Sequence, residues 1–284
     1  MPLRSRSSAG RRLGMVAFLR VDTRPLFGLL RAELTTLLAG LSDEDWARAT
    51  LCPGWSVHAI AAHLLGVELG NVSVRRDGWA LGPAEDEDLD DWLNAFNQEW
   101  VDAAERISPA LLIELLDLAG RRFEEHVAAL DLDATGGPVE WATGSEPAPV
   151  WLDVGREYME RYVHQAQIRD ATGRSALGGF FTSPVMVIAA HALPRALDGV
   201  IRPPGTVAAF SAEGEGGGTW HVVSASADWE LEPASPAGPV ACHVRTTVDD
   251  ALRLYVREPG ALTLNCEGDR ELCEALFGVK AILG

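Results

Sequence analysis

The period of the hydrophobic pattern changes along this chain, and that change constrains the fold more than any other feature. Up to about Gly173, apolar side chains recur every three or four residues, as on one face of a helix. Beyond an Arg-Pro-Pro-Gly break at residues 202–205, short β-type runs follow one another between glycine-rich turns. The sequence therefore predicts an α+β chain of two domains, in which a four-helix bundle precedes a small α+β domain.

The helices of the first domain are predicted from their apolar faces and their end signals. Leucines share one face of the segment Arg24–Leu41, opposite its charges. Ser56 and Ser108 suit the N-cap position, and Gly173 suits the left-handed position that closes a helix. The long helices are predicted over residues 24–41, from 56 onward, and over 88–107, 109–130 and 150–172.

The second part of the chain is predicted to combine one apolar helix with a small sheet. Ser183 and Pro184 are expected to open that helix, which runs to about Leu197 with a kink at Pro194. Strands are predicted over 206–211, 219–224, 229–232, 240–246 and 262–266, and amphipathic helices over 248–257 and 269–281. The predicted domains are residues 18–178 and 179–284, after a disordered extension at 1–17.

The charge and the cysteine content limit the function classes. The net charge is −17, and four arginines lie in the first 14 residues, which leaves −21 on the rest of the chain. Such a surface repels nucleic acid and anionic membranes, and no apolar run approaches the ~20 residues that span a bilayer. Four cysteines without a CxxC pair predict reduced thiols in a cytoplasmic protein.

Two distant helical segments carry residues that can bind a metal ion together. Glu160 and His164 are four residues apart, so both project from one face of a helix. His63 lies on or beside the apolar stripe of an earlier helix. Two imidazoles and one carboxylate between packed helices make a three-ligand site with a position left for water or substrate. A solvated Glu–His pair and a hydrogen-bonded core histidine are the alternatives.

Neither of the two neighbouring candidates fits as a fourth ligand. His58 is five residues from His63, about 140° around the helix axis, so the two rings point apart and His58 is expected at the surface. Cys52 precedes a Pro-Gly break and is expected about three helical turns from His63. The sequence therefore predicts a metal centre with an exchangeable position.

Several motifs in order resemble the mycothiol-dependent maleylpyruvate isomerase-like family, which belongs to the DinB-like four-helix metalloproteins. They are Cys52–His58 followed by Ala62–Leu64, then Arg156–His164. The runs Thr246–Asp250 and Glu267–Leu272 resemble the family's sterol-carrier-protein-like second domain. The resemblance covers the chain from about residue 18 to its end.

The resemblance implies a metal held by His63, Glu160 and His164, with zinc as the expected ion and nickel or iron as alternatives. It also implies mycothiol as a low-molecular-weight thiol cofactor. Many relatives carry an acidic residue where this chain has Gln167, so the orientation of the neighbouring His164 is expected to differ here.

The predicted function is a metal- and thiol-dependent isomerase or S-transferase that acts on a small electrophilic substrate as a monomer or homodimer. A metal-bound thiol is deprotonated and can attack an electrophilic carbon. Arg169 and Arg195 are the candidates for binding an acidic substrate, although each also suits a surface ion pair. The alternatives are a ligand- or lipid-binding module with a non-catalytic metal, and a metal-dependent hydrolase that uses bound water.

Overall fold

The computed structural model describes residues 19–79, 82, 89–225, 228–234, 236 and 238–281. The predicted N-terminal extension, residues 1–17, lies outside the described residues. In chain order the helices are α1 (Arg24–Ala39), α2 (Asp43–Trp46), α3 (Val57–Asn71), α4 (Leu89–Ala104), α5 (Pro109–Ala128), α6 (Glu140–Thr143), α7 (Val150–Ala171), α8 (Gly179–Ala189), α9 (Leu193–Ala196), α10 (Val248–Tyr255) and α11 (Arg270–Phe277). The strands are β1 (Thr135–Pro138), β2 (Pro147–Pro149), β3 (Val207–Glu213), β4 (Gly218–Ala225), β5 (Asp228–Glu232), β6 (Val240–Thr247) and β7 (Asn265–Gly268).

The long helices begin and end where their capping residues place them. The Ser56 hydroxyl accepts from the Ala59 amide at the start of α3, and the Ser108 hydroxyl accepts from the Leu111 amide at the start of α5. Gly173 follows α7 with φ +63°, the left-handed conformation that glycine adopts without strain. The predicted bounds of these helices are therefore close to the observed ones.

Four of the helices, α1, α3, α5 and α7, pack around a shared core, in which Leu38, Ile60 and Leu112 are almost fully buried. Helix α4 packs across α3, where the Trp100 indole donates to the Ala62 carbonyl at 2.7 Å. Gly66 permits this close approach, since a Cβ there would lie only 2.6 Å from the Trp100 ring. The bundle is the one expected from the hydrophobic pattern.

The C-terminal part contains a five-stranded sheet in the order β5-β4-β3-β6-β7. β3 and β6 pair in parallel, and the other neighbours are antiparallel. Helices α10 and α11 each bury one apolar face, with Ala251 and Leu272 fully buried. One continuous apolar core runs from the bundle through α8 into this sheet. The chain is therefore an α+β protein with a helical N-terminal part and a sheet-containing C-terminal part.

The helix before the sheet differs from its prediction. It begins at Gly179 and contains Pro184, whereas Ser183 and Pro184 were expected to open it. A long-range contact explains the earlier start, because the Glu215 carboxylate accepts from the Gly179 amide at 2.8 Å. A short 3-10 turn (Ala190–Ala192) then separates α8 from α9, whose first turn holds Pro194.

The prediction of four reduced thiols is wrong. Cys266 and Cys273 form a disulfide, while Cys52 and Cys242 are free. The two bonded cysteines lie on different elements, β7 and α11, and the fold brings their Cα atoms to 6.0 Å. Their seven-residue separation carries no motif that predicts the bond, because the approach depends on how α11 packs on the sheet.

One continuous helical segment, Val57–Arg76, is long and apolar enough to cross a membrane by length and composition. The expectation that no apolar run approaches the length of a bilayer span was therefore wrong for this segment. The segment consists of α3 and the π-helical turn that follows it. Of its most apolar 18-residue stretch, 56% is buried inside the protein. Because α3 lies in the middle of the bundle, its apolar character is explained by packing against the other helices.

Candidate metal centre

Three side chains from two helices meet at one point inside the bundle. His63 projects from α3, and Glu160 and His164 project from successive turns of α7. The same oxygen, Glu160 Oε1, lies 3.3 Å from His63 Nε2 and 3.1 Å from His164 Nε2. The three ligand atoms all lie within 4.8 Å of one another. The structure thus brings together the three residues that the sequence singled out, and their role as metal ligands stays a prediction.

The spacing of these donor atoms suits a small divalent ion. Ligands bound tetrahedrally to zinc at 2.0–2.1 Å lie about 3.3 Å apart. The two nitrogen-to-oxygen distances here, 3.3 and 3.1 Å, match that spacing. Two imidazole nitrogens and one carboxylate oxygen also form a donor set that zinc, nickel and iron all accept. The residues present therefore fit the expected metal.

Gln167 fixes the orientation of the His164 ring. Its amide oxygen lies 2.8 Å from His164 Nδ1, and its amide nitrogen donates to the Glu258 carboxylate at 2.9 Å. Since an amide oxygen only accepts, Nδ1 carries a proton, and the lone pair of the neutral ring lies on Nε2, which faces Glu160. This is the tautomer required for Nε2 to bind a metal. Gln167 also links the centre to the C-terminal part of the chain.

The cluster concentrates opposite charges in a buried place. Burial alone would raise the pKa of Glu160, but the charge of His164 and hydrogen bonds from both imidazoles hold it well below its usual range. Burial opposes protonation of His164 as well, yet the Glu160 charge, the hydrogen bond that the ring donates to Glu160 and the nearby Cys52 thiol raise its pKa to about 10. Burial is the main cause that lowers the pKa of His63. Without a metal, Glu160 is an anion and His164 its cationic partner.

The loop before α3 folds over the centre, which the sequence did not predict. Cys52 was expected about three helical turns from His63, yet its thiol lies close enough to the His164 ring to raise the pKa of that ring. Gly54, with φ +82°, turns the chain back, and the Trp55 ring lies 4.8 Å from that of His63 between ring centroids. The predicted break at Pro53-Gly54 reverses the chain, which places Cys52 nearer the centre than a count of helical turns indicates.

A buried ion-pair network holds α3 against α7 one turn away from the centre. Arg161 donates to Glu68 at 2.8 Å and to Glu157 at 2.9 Å, and its guanidinium lies 4.2 Å from the Phe123 ring centroid. All three charged residues are buried, so every charge needs its partner. The network fixes the relative position of the helices that carry His63 and Glu160.

A cleft of about 510 Å³ lies between α7 and α10, next to the candidate metal centre. Gln167, which contacts His164, lines it together with Arg169, Asp249 and Glu258. Its wall carries both signs of charge and apolar side chains such as Val163 and Leu252. None of the three cluster residues lines this cleft, and Gln167 is the residue that connects it to the ring of His164.

The remaining sequence candidates lie at different distances from the cleft. Arg169 lines it but pairs with Glu33 at 2.9 Å. Arg195 is not among the residues that line it and lies 3.7 Å from Asp198. His58 points away from the centre, as expected, although it is half-buried and bonds to the Ile107 carbonyl at 2.9 Å.

The fold and the site thus combine a bundle of long helices, a two-histidine, one-carboxylate cluster and a small C-terminal sheet. The model of the mycothiol maleylpyruvate isomerase N-terminal domain family matches residues 27–169, half of the chain. The chain belongs to this family. The matched region contains all three residues of the cluster and the loop that covers it.

Comparison with solved structures supports the fold over a longer range. The crystal structure of the mycothiol-dependent maleylpyruvate isomerase matches with a TM-score of 0.52 at 14% identity, over 86% of this chain and 92% of that one. A histidine-to-alanine mutant of that enzyme matches with a TM-score of 0.51 at 15% identity, with the same coverage. No curated protein sequence matches this chain. The shared fold thus includes most of the C-terminal part, whose likeness to sterol carrier proteins stays a prediction.

Proposed function

We propose that this protein is a metal- and thiol-dependent isomerase or S-transferase that acts on a small electrophilic substrate. One observation carries the proposal: His63, Glu160 and His164 converge on one point beside a cleft large enough for a thiol cofactor. Membership of the family makes mycothiol the proposed thiol. Zinc is the proposed metal, since it accepts imidazole and carboxylate ligands and binds thiolates.

In this proposal His63, Glu160 and His164 hold the metal. A bound divalent ion would supply Lewis acidity and deprotonate a thiol that reaches it. Gln167 accepts from Nδ1 of His164, so that the neutral ring would present the lone pair of Nε2 to the metal. The loop with Cys52 and Trp55 covers one side of the centre and limits the access of water.

The cleft between α7 and α10 is the proposed binding place for the bulk of the thiol. Polar and charged side chains of its wall, such as Gln167 and Asp249, would bind the hydrophilic non-reacting part, and Arg169 and Arg174 would attract acidic groups of the substrate. Arg174 is the more exposed of the two, with 47% of its side chain accessible, and its ion pair with Asp45 is the longer one, at 3.7 Å against 2.9 Å for Arg169 and Glu33. We also propose a cytoplasmic location, where low-molecular-weight thiols are kept reduced.

The test is whether a thiol reaches the metal. Protein loaded with Co²⁺ and titrated with mycothiol should develop a thiolate-to-cobalt charge-transfer band, and a crystal soaked with the thiol should place sulfur about 2.3 Å from the ion. His58→Ala, which alters a histidine outside the cluster, should behave as the wild type. A metal that gains no sulfur, with turnover unaffected by thiol, would favour the hydrolase. A protein without metal affinity would favour the binding module.

A further inference from the structure

Three cysteines from three elements meet at the far edge of the C-terminal sheet. Cys242 lies on β6, Cys266 on the edge strand β7, and Cys273 on α11. The Cys242 sulfur is 3.6 Å from that of Cys266 and 3.9 Å from that of Cys273. In the described part of the chain, this cluster and the one in the bundle are the two groups close enough to share a metal ion.

The position of the free thiol argues against simple disulfide exchange. A thiolate attacks a disulfide along the extension of the sulfur–sulfur bond, so an attacker is about 2 Å farther from one sulfur than from the other. The Cys242 sulfur is nearly equidistant from both, which places it beside the bond. Burial also raises the pKa of this thiol to about 11, so it is a poor nucleophile in this state. A different role has to account for the cluster.

We propose that, once the Cys266–Cys273 bond is reduced, the three cysteines bind one zinc ion or a similar thiophilic divalent cation. Three sulfurs at about 2.3 Å from a tetrahedral zinc lie about 3.8 Å apart. Two edges of that triangle already exist, at 3.6 and 3.9 Å. Parting of the two bonded sulfurs completes the third edge. This site is independent of the bundle centre and of the proposed function.

The surroundings leave a route and a free position for the ion. Cys242 and Cys273 are buried, whereas Cys266 is half-buried on the edge strand. An ion would therefore enter past Cys266 and keep solvent as its fourth ligand. Gly268, with φ +104°, turns the chain from β7 into the segment leading to α11 and so brings Cys273 over the sheet.

The two states of the cluster interconvert by a balanced redox step. A phosphine reductant breaks the Cys266–Cys273 bond, takes an oxygen atom from water and leaves two thiols. Binding of a zinc ion to the three thiols then releases three protons. In the reverse direction, hydrogen peroxide takes two electrons from the thiolates of Cys266 and Cys273 and two protons from solvent, and becomes two water molecules as the disulfide forms. The ion leaves, and the Cys242 thiolate takes up a third proton from solvent. The oxidised state is the one seen in the structure.

The experiment compares reduced and oxidised protein in a background that lacks the bundle centre. The variant C52S/H164A retains only the three clustered cysteines and removes a ligand of the other site. Titration of its reduced form with Co²⁺ under nitrogen should yield an intense thiolate-to-cobalt charge-transfer band that saturates at one ion per chain. The peroxide-treated form should show none. Absence of the band from the reduced, folded protein would overturn the proposal.

Single substitutions then assign the band to the cluster. Adding C242A, which replaces a buried thiol by a small apolar group, should abolish or strongly weaken the band. C266S should weaken the band in the same way. Because Cys266 is only half-buried, this variant serves as a second test if C242A fails to fold, and circular dichroism shows whether each variant is folded. If both variants fold and keep the full band, the cysteines are not the ligands and the proposal fails.

Discussion

At the scale of single residues, the candidate centre depends on few atoms. Glu160 Oε1 is the common neighbour of both imidazoles, and His164 is in turn oriented by Gln167. His63 and His164 therefore have different surroundings, although both face the same oxygen. Single substitutions should separate the metal function from the fold, because the apolar core of the bundle does not include these side chains.

His164→Ala should weaken Co²⁺ binding more than about 100-fold, since one of three ligands is lost. Helix content should fall only slightly, because burial of apolar side chains in the bundle supplies most of its stability. Calorimetric titration and circular dichroism measure the two effects, with His58→Ala as the matched control. An unfolded variant beside a folded metal-free wild type would contradict this assignment.

The resemblance implies an acidic residue at the position of Gln167, and the structure places Glu258 next to that position. A carboxylate at position 167 would face the Glu258 carboxylate across about the present 2.9 Å, with Arg253 at 3.8 Å from Glu258 as partial compensation. The new carboxylate would also accept from the cationic His164 ring, which offsets part of this repulsion. Q167E should therefore destabilise the protein by a net of roughly 1 kcal/mol. Q167E/E258Q should recover about 1 kcal/mol or more in a double-mutant cycle of urea unfolding. Additive effects would show that the two side chains do not interact.

At the scale of elements, tight packing of α4 on α3 depends on a glycine. A Cβ at Gly66 would lie 2.6 to 2.9 Å from three atoms of the Trp100 ring, while a Cβ at Gly70, one turn later, meets nothing within 4 Å. Gly66→Ala should lower the free energy of unfolding by about 1–3 kcal/mol, because the added methyl group overpacks the contact. Gly70→Ala should raise the free energy of unfolding by about 0.5–1 kcal/mol, because alanine favours a helix more than glycine does. In thermal unfolding, the Tm should fall for Gly66→Ala and rise for Gly70→Ala. Equal effects would argue against the α3–α4 contact.

Elements defined by local signals were predicted well, and those defined by distant contacts were not. Ser56, Ser108 and Gly173 act through hydrogen bonds and backbone preferences within one helical turn, so their sequence alone indicates the helix ends. The fold of the loop at Cys52 and the start of α8 depend on neighbours far away in the chain, such as Glu215. Likewise, the i,i+4 spacing predicted a shared face for Glu160 and His164, but only the packing of α3 on α7 brings His63 to them.

At the scale of the whole molecule, metal loading should stabilise the fold without being required for it. A ligand at 100 times its dissociation constant adds about 2.7 kcal/mol to the free energy of unfolding. We expect an increase in Tm of several degrees on addition of Zn²⁺, reversed by a chelator, and no increase for His164→Ala. A metal-free protein without a cooperative transition would show instead that the ion is structural.

The apolar core described above extends without interruption from Phe27 in α1 to Ala281 near the end of the described chain. A second apolar cluster, which includes Leu38, Ile60 and Leu112, lies within the bundle alone. The two predicted domains nevertheless share the first cluster, and for that reason they should melt as one thermodynamic unit. Differential scanning calorimetry should give a single peak whose calorimetric and van't Hoff enthalpies agree. A metal bound by α3 and α7 would then protect amide protons of the distant strand β6 from exchange as strongly as those of the bundle, because global opening is the event that exposes both.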